Sequence, residues 1–160
     1  MSLEEEVARL LRERKLTMAT AESCTGGMVS ARLVGVPGVS SVFMEGLVTY
    51  SNEAKMQLLG VKASTLARFG AVSRETAGEM AEGGCARAGT DVCVSTTGIA
   101  GPDGGTEEKP VGLVYMACCV KGRTTAERHM FAGDRQQIRE QSAQKALELV
   151  RACLLKQEDK

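Results

Sequence analysis

The sequence predicts a three-layer α/β/α sandwich built on a mixed, mostly parallel sheet of about five strands. Two observations predict it. Strand-like runs alternate with helix-like runs through the first two thirds of the chain, the order expected of a sheet covered by helices. Three strand-like runs then follow one another before a last helix, so at least one of them runs antiparallel. A chain of 160 residues is long enough for one domain with a real core, and 43% apolar and 25% charged residues are ordinary for a globular protein.

Residues 2–15 read as a helix. Ser2 can cap it, Glu5 completes a capping box, and Leu3, Val7, Leu10 and Leu11 make one apolar face. Residues 16–20 read as the first strand and 28–36 as a helix, which the glycines and proline of 35–38 end. Residues 43–50 read as the second strand. Asn52 can cap a short helix running to Leu59, closed by Gly60. Residues 62–69 suggest another short helix, and Ser73 can cap one that reaches Ala88. That helix carries Ala77, Met80, Ala81, Gly84, Cys85 and Ala88 on one narrow face suited to close packing on a sheet. Residues 91–97 form the third strand. Residues 111–120, nearly all apolar, form a strand buried on both faces. The more polar 123–131 read as an edge strand. Asp134 can cap the last helix, whose core face is Ala143, Ala146, Leu147, Val150, Cys153 and Leu154; 157–160 read as a polar tail.

Lysine plus arginine equals aspartate plus glutamate, 20 against 20, which gives neither a nucleic-acid footprint nor a basic membrane patch. No apolar run reaches membrane-spanning length and residues 1–20 do not resemble a signal peptide, so a cytoplasmic location is expected. Six cysteines without a C-x-x-C pair, and a single histidine, His129, argue against a zinc site. The cysteines read as reduced core thiols.

The polar cluster Glu22-Ser23-Cys24-Thr25-Gly26-Gly27 sits at a strand-to-helix turn. Amides at such a turn can hold an oxyanion while the Ser23 hydroxyl attacks a carbonyl. The plainer alternative is that Ser23 or Thr25 only caps the helix. Tyr50 and Lys55 lie just past the second strand, and parallel neighbouring strands would bring them to the same sheet edge as Ser23. A lysine in the first turn of a helix faces the positive end of the dipole, which suits one that must lose its proton. Lys55 can then serve as the base for Ser23, with Tyr50 relaying the proton or holding Lys55; a solvated lysine and a packed tyrosine are the alternatives. Cys24 is a rival nucleophile, since a thiol at a helix N-terminus is more acidic than usual. Glu22 is an acid, a base or only a positioner of the turn. The loop 98–105 carries Gly98, Gly101, Gly104 and Gly105, matches neither a dinucleotide nor a Walker fingerprint, and is either a concave anion site or a plain connection. Asp103 argues mildly against an anion there.

The stretches 21–27, 46–55, 97–105 and 109–112 closely resemble the CinA C-terminal-domain family, and the resemblance covers about residues 2–153. It implies a three-layer α/β/α fold and, for stand-alone members, a nicotinamide-nucleotide amidohydrolase that converts nicotinamide mononucleotide (NMN) to nicotinate mononucleotide and ammonia. It implies no metal and no organic cofactor. The family's catalytic serine, tyrosine and lysine fall on Ser23, Tyr50 and Lys55. Its substrate-binding positions fall on Glu22, Cys24, Thr25, Gly26, Gly27, Asn52, Thr97, Gly98, Gly101, Asp103, Gly104 and Gly105. The second N-terminal domain of longer members is not expected here. A non-catalytic pyridine-nucleotide sensor and an amidase for another small amide are the competing expectations. Symmetric assembly being common, a homo-oligomer is expected.

Overall fold

The computed structural model describes residues 1–156; the tail expected at 157–160 lies outside the described residues. In chain order the elements are α1 (Leu3–Glu13), β1 (Met18–Glu22), α2 (Met28–Val34), a 3-10 turn (Val39–Ser41), β2 (Phe43–Val48), α3 (Asn52–Leu59), α4 (Ala63–Phe69), α5 (Arg74–Ala88), β3 (Val92–Gly98), β4 (Leu113–Val120), β5 (Arg123–Met130) and α6 (Arg135–Lys156). The sheet order is β2-β1-β3-β4-β5. β1 pairs parallel with both β2 and β3, and β4 runs antiparallel to both its neighbours. One strand of five is therefore reversed, and the sheet is mixed as expected.

Side-chain alternation sorts the core into the two outer layers. Met18 on β1, Val92 and Val94 on β3 and Val114, Met116 and Cys118 on β4 pack with α1, α2 and α6. The opposite face is built of small residues. Ala19, Ala21 and Cys93 pack against Met80 of α5, and Ala117 and Cys119 against its Ala77 and Ala81. The small-residue face read from the sequence of α5 thus lies on a small-residue face of the sheet. A Cβ on Gly84 would press into Cys93 Sγ, and one on Gly83 would overlap the carbonyl of Leu59 at the end of α3.

Boundaries moved for local reasons. β1 begins at Met18, two residues late, because Lys15 takes a left-handed φ of 57° and Leu16 N–H still bonds the α1 carbonyl of Leu11. β2 stops at Val48, although Thr49 N–H continues the pairing to Glu22 O at 2.8 Å. β4 begins only after Gly112, whose φ is 100°. The N-cap of α3 is Ser51, not Asn52: its hydroxyl accepts from Ala54 N–H at 3.0 Å, and Asn52 is the first helical residue. Ser2, Ser73 and Asp134 cap α1, α5 and α6 as the sequence suggests. His129 is half-buried: its ring stacks on Phe131 and its Nε2 lies 2.9 Å from Glu127 Oε1. Among the described residues no helix is long and apolar enough to cross a membrane.

Candidate active site

The parallel strands β2, β1 and β3 end at one edge of the sheet, and the chain leaves that edge at Thr49, Ser23 and Ile99. Ser23 is the first residue after β1. Its amide donates to Thr96 O at 3.0 Å, so the neighbouring strand fixes where the turn begins.

Glu22, fully buried, turns its carboxylate into the start of α2. Oε1 accepts from Thr25 Oγ1 at 2.6 Å, Gly27 N–H at 3.1 Å and Val29 N–H at 2.9 Å; Oε2 accepts from Ser30 N–H at 3.0 Å and Ser30 Oγ at 2.8 Å. Five donors on one carboxylate satisfy the orphan amides of the helix and its positive end together. The helix is therefore capped by Glu22 and not by Ser23 or Thr25. The N-cap residue is Gly27, whose φ of 104° excludes most side chains. Glu22 does not line the cavity described below, so it positions the turn and is not placed to bind substrate. Because Thr25 donates its hydroxyl proton to Glu22, it accepts from Thr96 Oγ1 at 2.8 Å, and the carboxylate orients both hydroxyls. Gly26 N–H is also occupied, by Ser23 O at 3.0 Å. Of the amides of residues 24–27, those of Cys24 and Thr25 have no carbonyl or carboxylate acceptor among the described residues.

Lys55 is 1% exposed, yet it ends in three acceptors. Its Nζ lies 3.1 Å from Ser23 Oγ, 2.9 Å from Thr49 O and 3.4 Å from Tyr50 O. Burial pushes the amine below the ordinary lysine range, opposed only by the neighbouring Cys24 thiol. The Glu22 carboxylate is committed to α2. In the neutral amine two N–H bonds point at the two carbonyls, and the lone pair is left for the Ser23 hydroxyl.

Tyr50 sits differently from its expected role. Its ring is 62% exposed and its hydroxyl accepts from Arg135 at 3.1 Å; it meets Lys55 through its backbone carbonyl. The hydroxyl is not placed as a proton relay between Lys55 and Ser23. Cys24 also departs from expectation. Burial, with a smaller push from Glu22, raises its thiol to about 11. The helix end that would acidify it already holds the Glu22 carboxylate.

A cavity of about 230 Å³ opens at this sheet edge. It brings together Ser23, Cys24, Tyr50, Asn52, Lys55, Thr97 and Gly98 of the residues singled out in the sequence. It adds Ala71, Val72, Ala100 and Arg135. Thr25, Gly26 and Gly27 stand behind the wall as part of the turn. Gly101 is at the rim, its carbonyl accepting from Arg135 Nη1 at 2.7 Å, while Asp103, Gly104 and Gly105 are exposed and do not line the cavity. The glycines at 101 and 105 let the loop fold back on Val111. Lys109 fastens the same loop to the carbonyl of Phe69 at the end of α4.

Two arginines of α6 were not read from the sequence as site residues. Arg135 lines the cavity, and Arg139 grips the turn from behind, donating to Cys24 O at 3.1 Å and Thr25 O at 3.0 Å. The signal was the one that marks Lys55: Arg135 is a cation in the first turn of a helix, where the dipole disfavours it. Thr96 was missed because only the parallel register places it beside Ser23.

A family model described as the CinA C-terminal domain matches residues 1–154. A "CinA-like protein" of Kosmotoga olearia is 58% identical over 154 residues, 96% of this chain and 37% of that protein. The chain thus spans well under half the length of that curated relative. Among solved structures, the competence damage-inducible protein A (ComA) of Klebsiella pneumoniae superposes with a TM-score of 0.92 at 39% identity, covering 96% of this chain and 95% of that one. The competence/damage inducible protein CihA of Agrobacterium tumefaciens gives 0.88 at 41% identity, covering 95% and 98%. A match along almost the whole chain, with near-superposable relatives, means that the chain belongs to the CinA C-terminal domain family.

Proposed function

We propose that the chain is an amidohydrolase that cleaves the carboxamide of nicotinamide mononucleotide, releasing nicotinate mononucleotide and ammonia. The observation that carries this reading is the buried Lys55 Nζ at 3.1 Å from Ser23 Oγ, held by two backbone carbonyls. Lys55, neutral, takes the proton of Ser23 as Oγ attacks the amide carbon. The amide of Cys24, at the cavity wall, receives the oxyanion, such a donor lowering the barrier by roughly 3 kcal/mol. Lys55 hands the proton to the departing ammonia, and a water then cleaves the ester on Ser23, its proton passing to Lys55 and back to Oγ. The substrate class rests on the family resemblance and on Arg135, a cation at the exposed mouth suited to a phosphate. Tyr50 holds that arginine through its hydroxyl. The cavity accommodates the carboxamide-bearing ring, with the ribose phosphate reaching toward the mouth.

The test is ammonia release from NMN by the purified protein and by Ser23→Ala. Release by the wild type, lost in the variant, supports the reading. Equal release by both removes Ser23 from the chemistry. Binding of NMN with no release by either leaves a nucleotide sensor, and release from another amide alone moves the substrate.

A further inference from the structure

A second cluster of reactive side chains stands on the α6 face of the sheet, away from the cavity of Ser23. Cys118 and Thr125 pair directly across β4 and β5, so their side chains stand side by side. Cys153 of α6 packs in the same core cluster as Cys118. Thr125 and Cys153 line one cavity, so the cross-strand partner of Cys118 faces Cys153. Cys118 is fully buried. Cys153 lines a cavity of about 330 Å³ between the start of β5 and the end of α6, with Arg123 and Lys156 in the same lining. One thiol therefore meets a cavity carrying two cations, and a second thiol packs in the same core cluster beside Thr125 of that lining. Hydrogen bonding and the Lys156 charge bring the Cys153 thiol down to about 7, while burial drives Cys24, Cys85 and Cys93 the other way.

We propose that Cys153 is an oxidation site for small hydroperoxides and that Cys118 is its resolving thiol. The Cys153 thiolate attacks the terminal peroxide oxygen and the O–O bond breaks. The leaving oxygen departs as an alcohol, or as water from hydrogen peroxide, once it has taken a proton, and Cys153 becomes a sulfenic acid. Cys118 then attacks that sulfur and the S–O bond breaks. The hydroxide leaves with the Cys118 proton as a second molecule of water, and a disulfide joins β4 to α6. Two thiols supply two electrons to one peroxide, and a small dithiol reverses the step. The inference is independent of the amidase reading, because neither cysteine touches that site.

The test treats the whole chain with one equivalent of hydrogen peroxide, with and without dimedone, and locates the products by intact mass and peptide mapping. The wild type should lose two hydrogens, with the cross-link mapped to 118 and 153. Cys118→Ser should stop at a sulfenic acid that dimedone captures on Cys153. Cys153→Ser should give neither product at this pair. If Cys118→Ser does not fold, Cys118→Ala tests the same step, with circular dichroism as the check. Dimedone capture at Cys24 or Cys85 with Cys153 unreacted would overturn the proposal, as would a disulfide mapped to Cys85 and Cys119.

Discussion

Glu22 settles what the turn can do. Its carboxylate accepts five hydrogen bonds and donates none. A glutamine in its place must aim an amide donor at Gly27 and Val29 or at Ser30, leaving at least one buried donor facing another. Glu22→Gln should therefore destabilise the protein by about 2–4 kcal/mol, read as a lower urea midpoint at unchanged slope. The folded fraction should show reduced turnover because the hydroxyls of Thr25 and Thr96 lose their orientation. A variant as stable as the wild type would mean that the capping network carries little free energy. Sequence alone placed Ser23 and Lys55 together, because parallel strands deliver their C-terminal ends to one edge. It could not assign Glu22, since a carboxylate beside a serine looks the same whether it faces substrate or a helix end.

Among the elements, α5 shows how far composition predicts packing. Its glycines are not equivalent. A Cβ at Gly78 meets only Thr124 Cγ2 at 3.8 Å, an ordinary contact, whereas one at Gly83 runs into the backbone of Leu59. Gly78→Ala should stabilise by about 0.5–1 kcal/mol through helix propensity and reduced unfolded-state entropy. Gly83→Ala should destabilise by about 1–3 kcal/mol, because the overlap with a backbone carbonyl outweighs the same gain. Thermal unfolding of the two variants checks both signs. The helical face of α5 was legible because Ala77, Met80, Ala81 and Gly84 recur at helical spacing. The contact of Gly83 with α3 was not, because it joins segments whose crossing no local pattern encodes. The 3-10 turn at Val39–Ser41 and the shifted starts of β1 and β4 have a local cause instead, the left-handed backbone of Gly38, Lys15 and Gly112.

For the whole molecule, buried titratable groups set the response to alkali. Unfolded thiols lose their protons near pH 9, but native Cys24 keeps its proton to about 11. The folded state then binds more protons than the unfolded one, so stability falls between about pH 9 and 11, by about 3 kcal/mol from this residue alone. Cys93 and Cys118, also raised, act in the same direction. Lys55 acts oppositely: its amine is neutral in the fold below the pH at which an unfolded lysine loses its proton, so its contribution rises with pH across that window. Urea titrations at a series of pH values should show the alkaline loss, with Cys24→Ser flattening it. Turnover of NMN should rise with pH through the native Lys55 titration, which separates the base from the thiols.

Arg139 holds the carbonyls of Cys24 and Thr25 across 115 and 114 residues of sequence. During synthesis Ser23 is made long before the guanidinium that clamps its turn. A nascent chain that lacks α6 carries Ser23 and Lys55 without that clamp and without the cation at the mouth. On the proposed function, a chain cut before Arg135 should fold its turn loosely and release no ammonia from NMN, so that catalysis waits on a segment made more than a hundred residues after Ser23.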